Sequence, residues 1–472
     1  MALTVPVAEI VENSKNPLLG KHESWERVLL GDIATIQNGF PFKSSQFTKD
    51  GGMPLIRIRD VGADNTDTNY VGDYEQAFVV EAGDFLIGMD GDFNCARWRG
   101  SKGLLNQRVC RVTLKSDIYH PKLLDYVLPG YLKAINEMTS SVTVKHLSSK
   151  SIAEIPLPLP PKDQQKRIVA EIEKQFSRLD EAVAGLKRVK ANLKRYKAAV
   201  LKAAVEGRLV ETEADRARRE GRSYETGEQL LQRILETRRS QWQGKGKYKE
   251  PAAPDTTDLP ELPEGWVWAT TSQVLREVKD GTHDTPKYHD TGIPFITQKH
   301  VKAAGFVFDD FSRISLEDHE NFYRRSNPER ADILVSMIGV NRGESCIVDT
   351  DEVFSIKNVG LLKPDHKTSS VKFIKYFLSS ALGQRLLLRG SKGGAQPFVG
   401  LAELRKWPLT VPPLAEQHRI VAEVDRHLSL LHKMESQVGA SLLRAANLRQ
   451  SILSRAFSSS PLATNSECFD VN

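Results

Sequence analysis

Apolar residues follow two rhythms along the chain. In 1–157 and again in 263–411, short β-rich runs such as "PLIRIR", "DFLIGM", "PFIT" and "DILVSM" are bounded by Gly, Asp and Pro, the pattern of strands separated by loops. The alternation in "PLIRIR" places Arg57 and Arg59 on one face of a strand. "HPKLLDYVLPGYLKAINEM" and "SVKFIKYFLSSALGQRLLLRG" have helical spacing. A Pro-rich stretch, "IPLPLPP" or "WPLTVPP", closes each region, and the rhythm then changes. From Pro161 the apolar positions run Val169, Ile172, Phe176, Leu179, Val183, Leu186, Leu193, Tyr196 and Val200, with Lys190 at one heptad position. From Pro413 they run Val421, Val424, Leu428, Leu431, Val438, Leu442, Ala445 and Ile452. Proline at the opening and an acid just after it (Asp163, Glu416) suit a helix start. Each run predicts a helix of about 45 residues, roughly 65–70 Å. A stripe that long needs a partner helix, so the two helices should pair with each other.

The two regions are copies of one plan. "PPKDQQKRIVAEIE" from Pro160 and "PPLAEQHRIVAEVD" from Pro412 share eight of fourteen positions. "GMPLIRIRDV" lies over "GIPFITQKHV" at an offset of 240, "GDFLIGMDG" over "ADILVSMIG" at 248, and "LLDYVL" over "FIKYFL" at 250. The helix openings follow at 252, and each copy starts near a tryptophan, Trp25 or Trp266. Order preserved under a slowly growing offset marks a duplicated domain with loop insertions. Two equivalent units can close as a pseudo-two-fold pair, with the helices antiparallel and a globular domain at each end of a stiff spacer. The expected fold is mixed α/β. It comprises a first domain (1–159), a first long helix (160–210), a helical segment and linker (211–262), a second domain (263–411), a second long helix (412–457) and a flexible tail (458–472). Within 211–262, "GEQLLQRILETRRSQW" predicts a helix, and the Gly-, Lys- and Pro-rich linker after it lets the second copy fold back.

Composition narrows the class. Among 472 residues, 40% are hydrophobic and 27% charged, and the mean hydropathy is −0.38. No apolar run approaches the ~20 residues of a membrane span. The opening "MALTVPVAEIVENSK" lacks the basic and apolar regions of a signal peptide. Cys95, Cys110, Cys346 and Cys468 form no CxxC pair, which argues against a disulfide framework or zinc knuckle. A cytoplasmic protein without membrane contact is expected. The net charge is +6, and its distribution is uneven. Residues 1–157 hold 17 basic and 19 acidic side chains, whereas 158–210 hold 13 and 6. The stretch "KRVKANLKRYKAAVLK" (187–202) carries seven Lys/Arg and no acid. It is either a solvated helix face or a surface for DNA or an acidic partner.

Catalytic patterns are scarce. The chain has no GxxxxGK[ST] phosphate loop, no Asp/Asn-Pro-Pro-aromatic tetrapeptide and no HExxH. "RGSKG" occurs at Arg99 and Arg389 but out of repeat register. A nuclease pattern can be forced from Pro254, Asp255, Glu277 and Lys279, yet its first half falls in the linker. His283 and His289 suit a surface or a DNA-facing loop better than metal ligation. No bound metal or cofactor is expected.

Two related halves, each ending in "PPxxxQxRIVAE" and a long helix, resemble the specificity subunit of type I restriction-modification systems. The resemblance covers nearly the whole chain. "GFPFKSSQFTKDGGMPLIRIRDV" and "DGTHDTPKYHDTGIPFITQKHV" are similar to two common varieties of that family's recognition domain, and "LNQRV" and "GAQPFVG" also fit. The second copy departs at "IKNVG", where Lys357-Asn358 replace the Asn-Gln pair. The resemblance implies a non-catalytic subunit whose two target-recognition domains each read one part of a split, asymmetric site in double-stranded DNA. It implies that the antiparallel coiled-coil helices set the gap and dock two methyltransferase subunits. Those subunits carry S-adenosylmethionine and methylate adenine, and motor-nuclease subunits using ATP and Mg join them. Base-edge contacts specify sequence while phosphate contacts position the protein. The expected DNA-contacting residues are Phe42, Lys43, Ser44, Arg57, Arg59, Asn106, Gln107 and Arg108 in the first domain. In the second they are Thr282, His283, Thr285, Lys287, Tyr288, Gln298, Lys299 and Lys392. A solvated surface charge is the alternative for each Arg or Lys. Two other readings of the chain stay open, a coiled-coil scaffold that binds only proteins and an enzyme in its own right.

Overall fold

The computed structural model describes residues 5–14, 16–138, 145–244, 246–389 and 397–458. By its contacts the chain divides into two compact units, Met1–Lys187 with Gly439–Asn472, and Arg188–Val438. Each unit therefore holds one globular domain, one half of the helix Lys162–Val205 and one half of the helix Leu414–Ser458.

In the first unit, strand Glu26–Leu29 pairs antiparallel with Pro156–Leu159. Two prolines are tolerated there because the sheet has only these two strands, so a missing N–H need not break an inner ladder. A four-stranded antiparallel sheet follows, in the order Ala34–Asn38, Val109–Leu114, Phe85–Gly88, Cys95–Arg97. A second sheet contains the parallel pair Met53–Ile56 and Gly103–Leu105. Helix Pro121–Met138 buries Leu123, Leu124, Val127, Leu128 and Tyr131 against Phe85 and Ile87. Into the same core run Ile168, Val169, Ile172 and Phe176 of one long helix and Ala456 and Phe457 of the other. Early residues of one helix meet late residues of the other, which makes the pair antiparallel.

The second unit repeats the plan. Val267–Thr270 pairs with Pro408–Val411, and the four-stranded order is Glu277–Asp280, Val359–Lys363, Ile333–Ser336, Ser345–Ile347. The parallel pair is Ile293–Ile296 with Ser355–Ile356. Val200, Leu201 and Ala204 meet Ile420, Val424 and Leu428, again antiparallel. Two additions distinguish this unit. Helix Leu316–Arg325 is inserted in the domain, and helices Glu213–Glu220 and Gly227–Ser240 precede it. The helix expected in 227–242 is present, whereas Glu213–Glu220 and Leu316–Arg325 are polar enough to read as loops in the sequence.

The repeated phrase acts as a seam. Gln165 donates from Nε2 to the Pro160 carbonyl (2.8 Å) and accepts from the His120 amide (2.6 Å). Gln417 donates to the Pro412 carbonyl (2.9 Å) and accepts from the Ser370 amide (2.9 Å). Each glutamine is buried and ties the start of a long helix to the loop that opens the domain's own helix. Trp25 Nε1 donates to Gln164 (2.9 Å), and Trp266 Nε1 donates to Glu416 (3.0 Å). Lys372 pairs with Asp425 at 2.6 Å, and Lys122 pairs with Glu173 at the matching place.

One sequence expectation needs correction. The strand holding "PLI" ends at Ile56, so Arg57 caps a 3-10 turn, Ile58–Asp60, that contains Arg59. Strand alternation therefore does not relate the two arginines. The cause is Asp60, whose carboxylate accepts the Arg57 amide at 2.9 Å and turns the chain. The stretch "SVKFIKYFLSSALGQRLLLRG" is helical, as its spacing predicts, and is divided into two helices, Val371–Ser379 and Ala381–Arg389. Ser380 is extended, and its hydroxyl accepts the Gly383 amide at 3.0 Å, which starts the second helix afresh.

Candidate nucleic-acid interface

In each domain three segments far apart in sequence converge through backbone bonds. In the first domain the Gly39 amide donates to Val109 O and the Phe40 amide to Leu105 O, both at 2.9 Å. Gly39 lies so close to Asn106 that a Cβ would sit 2.1 Å from its carbonyl oxygen, so a side chain is excluded there. In the second domain the Gly281 amide donates to Val359 O (2.9 Å) and the Thr282 amide to Ile356 O (3.0 Å). A Cβ on Gly281 would lie 2.2 Å from Ile356 O. The same splice thus joins 39–46 to 105–109 and 281–289 to 356–359. The 3-10 turns Ile58–Asp60 and Gln298–His300 follow the parallel strand next to each splice.

Most expected contact residues lie on this rim. Lys43, Ser44, Arg59, Gln107 and Arg108 are exposed in the first domain, as are His283, Thr285, Lys287, Tyr288 and Lys299 in the second. Arg57, Asn106 and Gln298 are half-buried. Lys392 lies outside the described residues. Two residues sit elsewhere. Phe42 is buried, 4.8 Å from Tyr70 between ring centroids, and packs with Leu55 and Leu104, so its ring supports the loop from beneath. Thr282 is also buried, with its hydroxyl accepting the Asp284 amide at 3.1 Å. It shapes the turn.

Several rim cations already have partners. In the first domain Asp90 lies 2.5 Å from His146 Nδ1 and 3.5 Å from Arg108 Nε. In the second, Asp280 is buried and lies 2.7 Å from Arg325 and 3.2 Å from His283 Nε2. The other ring nitrogen of His283 is 2.7 Å from the Asn358 carboxamide. Asn358 itself has φ +53°, a left-handed conformation that asparagine tolerates better than most residues. Lys357 donates to Thr285, and Lys299 reaches Asp310 at 3.1 Å. Below the rim His300 is buried, which pushes its imidazole below the ordinary value. Asp90, His146 and Arg325 were not singled out in the sequence. "MDGD" gave no signal for Asp90, because its partner His146 stands 56 positions away. Asn358 lay within the departure at "IKNVG".

The rejected catalytic patterns take structural parts. Arg99 pairs with Asp64 (2.9 Å) and Lys102 with Glu81 (2.7 Å), while Asp255 accepts the Thr257 amide. Among the described residues no group of three or more His, Cys, Asp or Glu could hold a metal ion. No helix among them is long and apolar enough to cross a membrane.

A family model, the type I restriction modification DNA specificity domain, matches residues 22–193 and again 263–440. The chain belongs to that family. The two matches fall on the two copies. The chain is similar to the type I restriction enzyme EcoBI specificity subunit of Escherichia coli, with 34% identity over 453 residues, 95% of this chain and 89% of that one. It is 21% identical over 468 residues to the EcoKI specificity subunit, also from Escherichia coli, covering 92% and 89%. The fold resembles a solved chain from work on complex assembly and conformational transition of the type I R-M system. That match has a TM-score of 0.59 and 16% identity and covers 93% of this chain and 99% of the other.

Proposed function

We propose that this chain is the DNA sequence-specificity subunit of a type I restriction-modification complex, with each domain reading one half of a bipartite, asymmetric site. The observation that carries this reading is the repeated splice: one backbone frame presents two rims whose side chains differ. A shared frame holds both rims in equivalent geometry, and different residues on it select different bases. Gln107, Arg59 and Arg108 in the first domain, and Asn358, Gln298, Tyr288 and Lys287 in the second, are the side chains offered to base edges and phosphates. Lys43, Ser44, Arg57, Asn106, His283, Thr285 and Lys299 line or brace the same rims. The antiparallel helices set the gap between half-sites and dock two methyltransferase subunits. Those subunits supply S-adenosylmethionine and the flipped-base pocket needed for adenine methylation. Motor-nuclease subunits using ATP and Mg complete restriction, and this chain contributes recognition rather than catalysis. The setting is the cytoplasm, where these partners meet DNA. Because Arg108 and Lys299 are paired with their own acids, the partner subunits contribute much of the affinity.

Sequencing of methylated adenines in a host carrying this chain and its partner subunits tests the proposal. A split adenine motif that vanishes when the chain is deleted is expected. Methylation independent of the chain, or a chain complex giving no sequence-dependent mobility shift, would favour a protein-only scaffold.

A further inference from the structure

The first long helix carries a second charged surface. Arg188, Lys190, Lys194, Arg195, Lys197 and Lys202 are all exposed on the continuous helix Lys162–Val205. At 3.6 residues per turn they cover roughly half its circumference. Leu193, Val200 and Ala204 turn the other way, into the packing. Small exposed residues stand between the cations, among them Ala191, Ala198 and Ala199. Lys202 has one long contact, 4.0 Å to Glu206, and the other five cations make no ion pair among the described residues.

Two internal comparisons show that the helix pair does not need this charge. Exposed helices elsewhere are laced with opposite charges. Arg216–Glu220 and Arg218–Asp215 both lie at 2.8 Å, and Arg426–Glu423 at 2.6 Å. Here Lys190/Lys194 and Lys194/Lys197 are like-charge neighbours one turn apart, each costing the helix about 0.2–0.5 kcal/mol. Burial lowers the Lys375 ammonium, and nearby Lys197 lowers it further. The repeat supplies the second comparison. At the offset of 252 the six positions become Ala440, Leu442, Ala446, Asn447, Arg449 and Ser454. Of these only Arg449 is charged, and it is committed to Asp180 at 2.7 Å. Ile452 and Ala456 pack as Val200 and Ala204 do, without the cations. A partner that docks alike on both copies has no use for a charge present on one.

The geometry points to a phosphate track: this face of the first long helix lies along the DNA that separates the half-sites and contacts its backbone. The inference rests on the proposed recognition of a split site. The face is about 22 Å long at 1.5 Å per residue, the length of roughly six base pairs of duplex at 3.4 Å per step along each strand. The cations are spread along that length rather than gathered round a pocket, and the small residues between them admit a broad rod. On the rims Arg108 and Lys299 are paired with their own carboxylates, so this unpaired face adds sequence-independent attraction that those two cations do not supply.

The test uses the full chain assembled with its methyltransferase subunits and the variant K190Q/K194Q/R195Q/K197Q. Binding is titrated over a range of salt to a duplex containing the methylated motif and to one lacking it. Each lost phosphate contact flattens the slope of log affinity against log salt by about 0.9, so the variant slope should fall by about 3–4 on both duplexes. Doubling the salt then weakens the wild type roughly tenfold more than the variant, and the methylated motif is unchanged. An unaltered slope overturns the inference, and if assembly with the subunits weakens instead, the occupant is an acidic protein surface. The charge-retaining variant K190R/K194R/K197R should keep the wild-type slope, and a fall there also overturns it, because the lysines would then act through packing. If the wild-type complex does not distinguish the two duplexes, the recognition proposal fails while the slope still reports on the helix.

Discussion

Asp84 and Asp332 occupy the same place in the two copies and have different partners. Each carboxylate accepts a backbone amide three residues earlier, from Glu81 at 3.0 Å and from Glu329 at 2.8 Å, and so closes the turn before a central strand. In the first domain the cation is Arg111, 3.0 Å away and part-exposed, and it also holds Gln37 and two backbone carbonyls. In the second it is Lys363, two residues further along the equivalent strand, 1% exposed and 2.5 Å from Asp332. Burial raises Asp332 from its ordinary value, with Lys363 opposing the rise, while the Lys363 hydrogen bond holds Glu329 below its own. The pair shows how a duplicated domain keeps the part that shapes the backbone and changes what surrounds it. Arg111 and Lys363 lie on the same face of their strands, since strand side chains repeat every two residues. A fork reaching several acceptors was thus exchanged for a point charge sealed among three.

The largest effect should come from breaking that difference. K363M leaves Asp332 buried without its cation and should cost about 3–5 kcal/mol in denaturant unfolding. R111M, with more solvent at hand, should cost about 1–2 kcal/mol. Equal losses would mean that burial does not separate the two pairs. The tryptophan seams offer the next comparison. W266F removes a hydrogen bond to the buried carboxylate of Glu416 and should cost about 1.5–3 kcal/mol, against about 1 kcal/mol for W25F, where the acceptor is the Gln164 amide. Recognition should separate the domains in another way. N358A and Q107A should each relax one base position in one half-site only, by about 1–3 kcal/mol of discrimination, as read by sequencing methylated adenines. Relaxation in both halves would contradict independent reading.

The smallest effect concerns pH. Burial raises Glu416 above its ordinary value, although the Glu213 amide (2.8 Å) and Trp266 donate to it. A carboxyl raised in the folded state adds stability below its unfolded pKa. That contribution is lost as pH rises through the folded value. Stability measured across that window should decline in the wild type and flatten in E416Q. Glu213 beside it behaves oppositely: burial alone would raise it, but Arg222 and Arg419 more than offset this and hold it below its ordinary value. Its contribution should appear at higher pH and fade on acidification. Gln164 provides the uncharged counterpart in the first unit.

These comparisons also show which parts of the molecule were legible in advance. The seams were, because Gln165, Gln417, Trp25 and Trp266 stand in repeated phrases and do repeated work. Phe42 was not, because "FPF" reads the same whether its second ring faces solvent or the Tyr70 cluster. Arg57 and Arg59 were misplaced because alternation continued past Ile56 in the letters, while Asp60 turned the backbone. Asp90 and Asp280 were silent, since the groups that hold them come from other segments.

Helix length and the existence of two copies followed from the sequence by itself, because period and repetition are properties of neighbouring positions along one chain. Which polar side chains are spent on internal partners was decided only by the tertiary structure, because an ion pair depends on distance through space. Thus Arg108 and Lys299 are engaged with carboxylates whereas Lys190 and Lys194 are not, although all four read alike as letters.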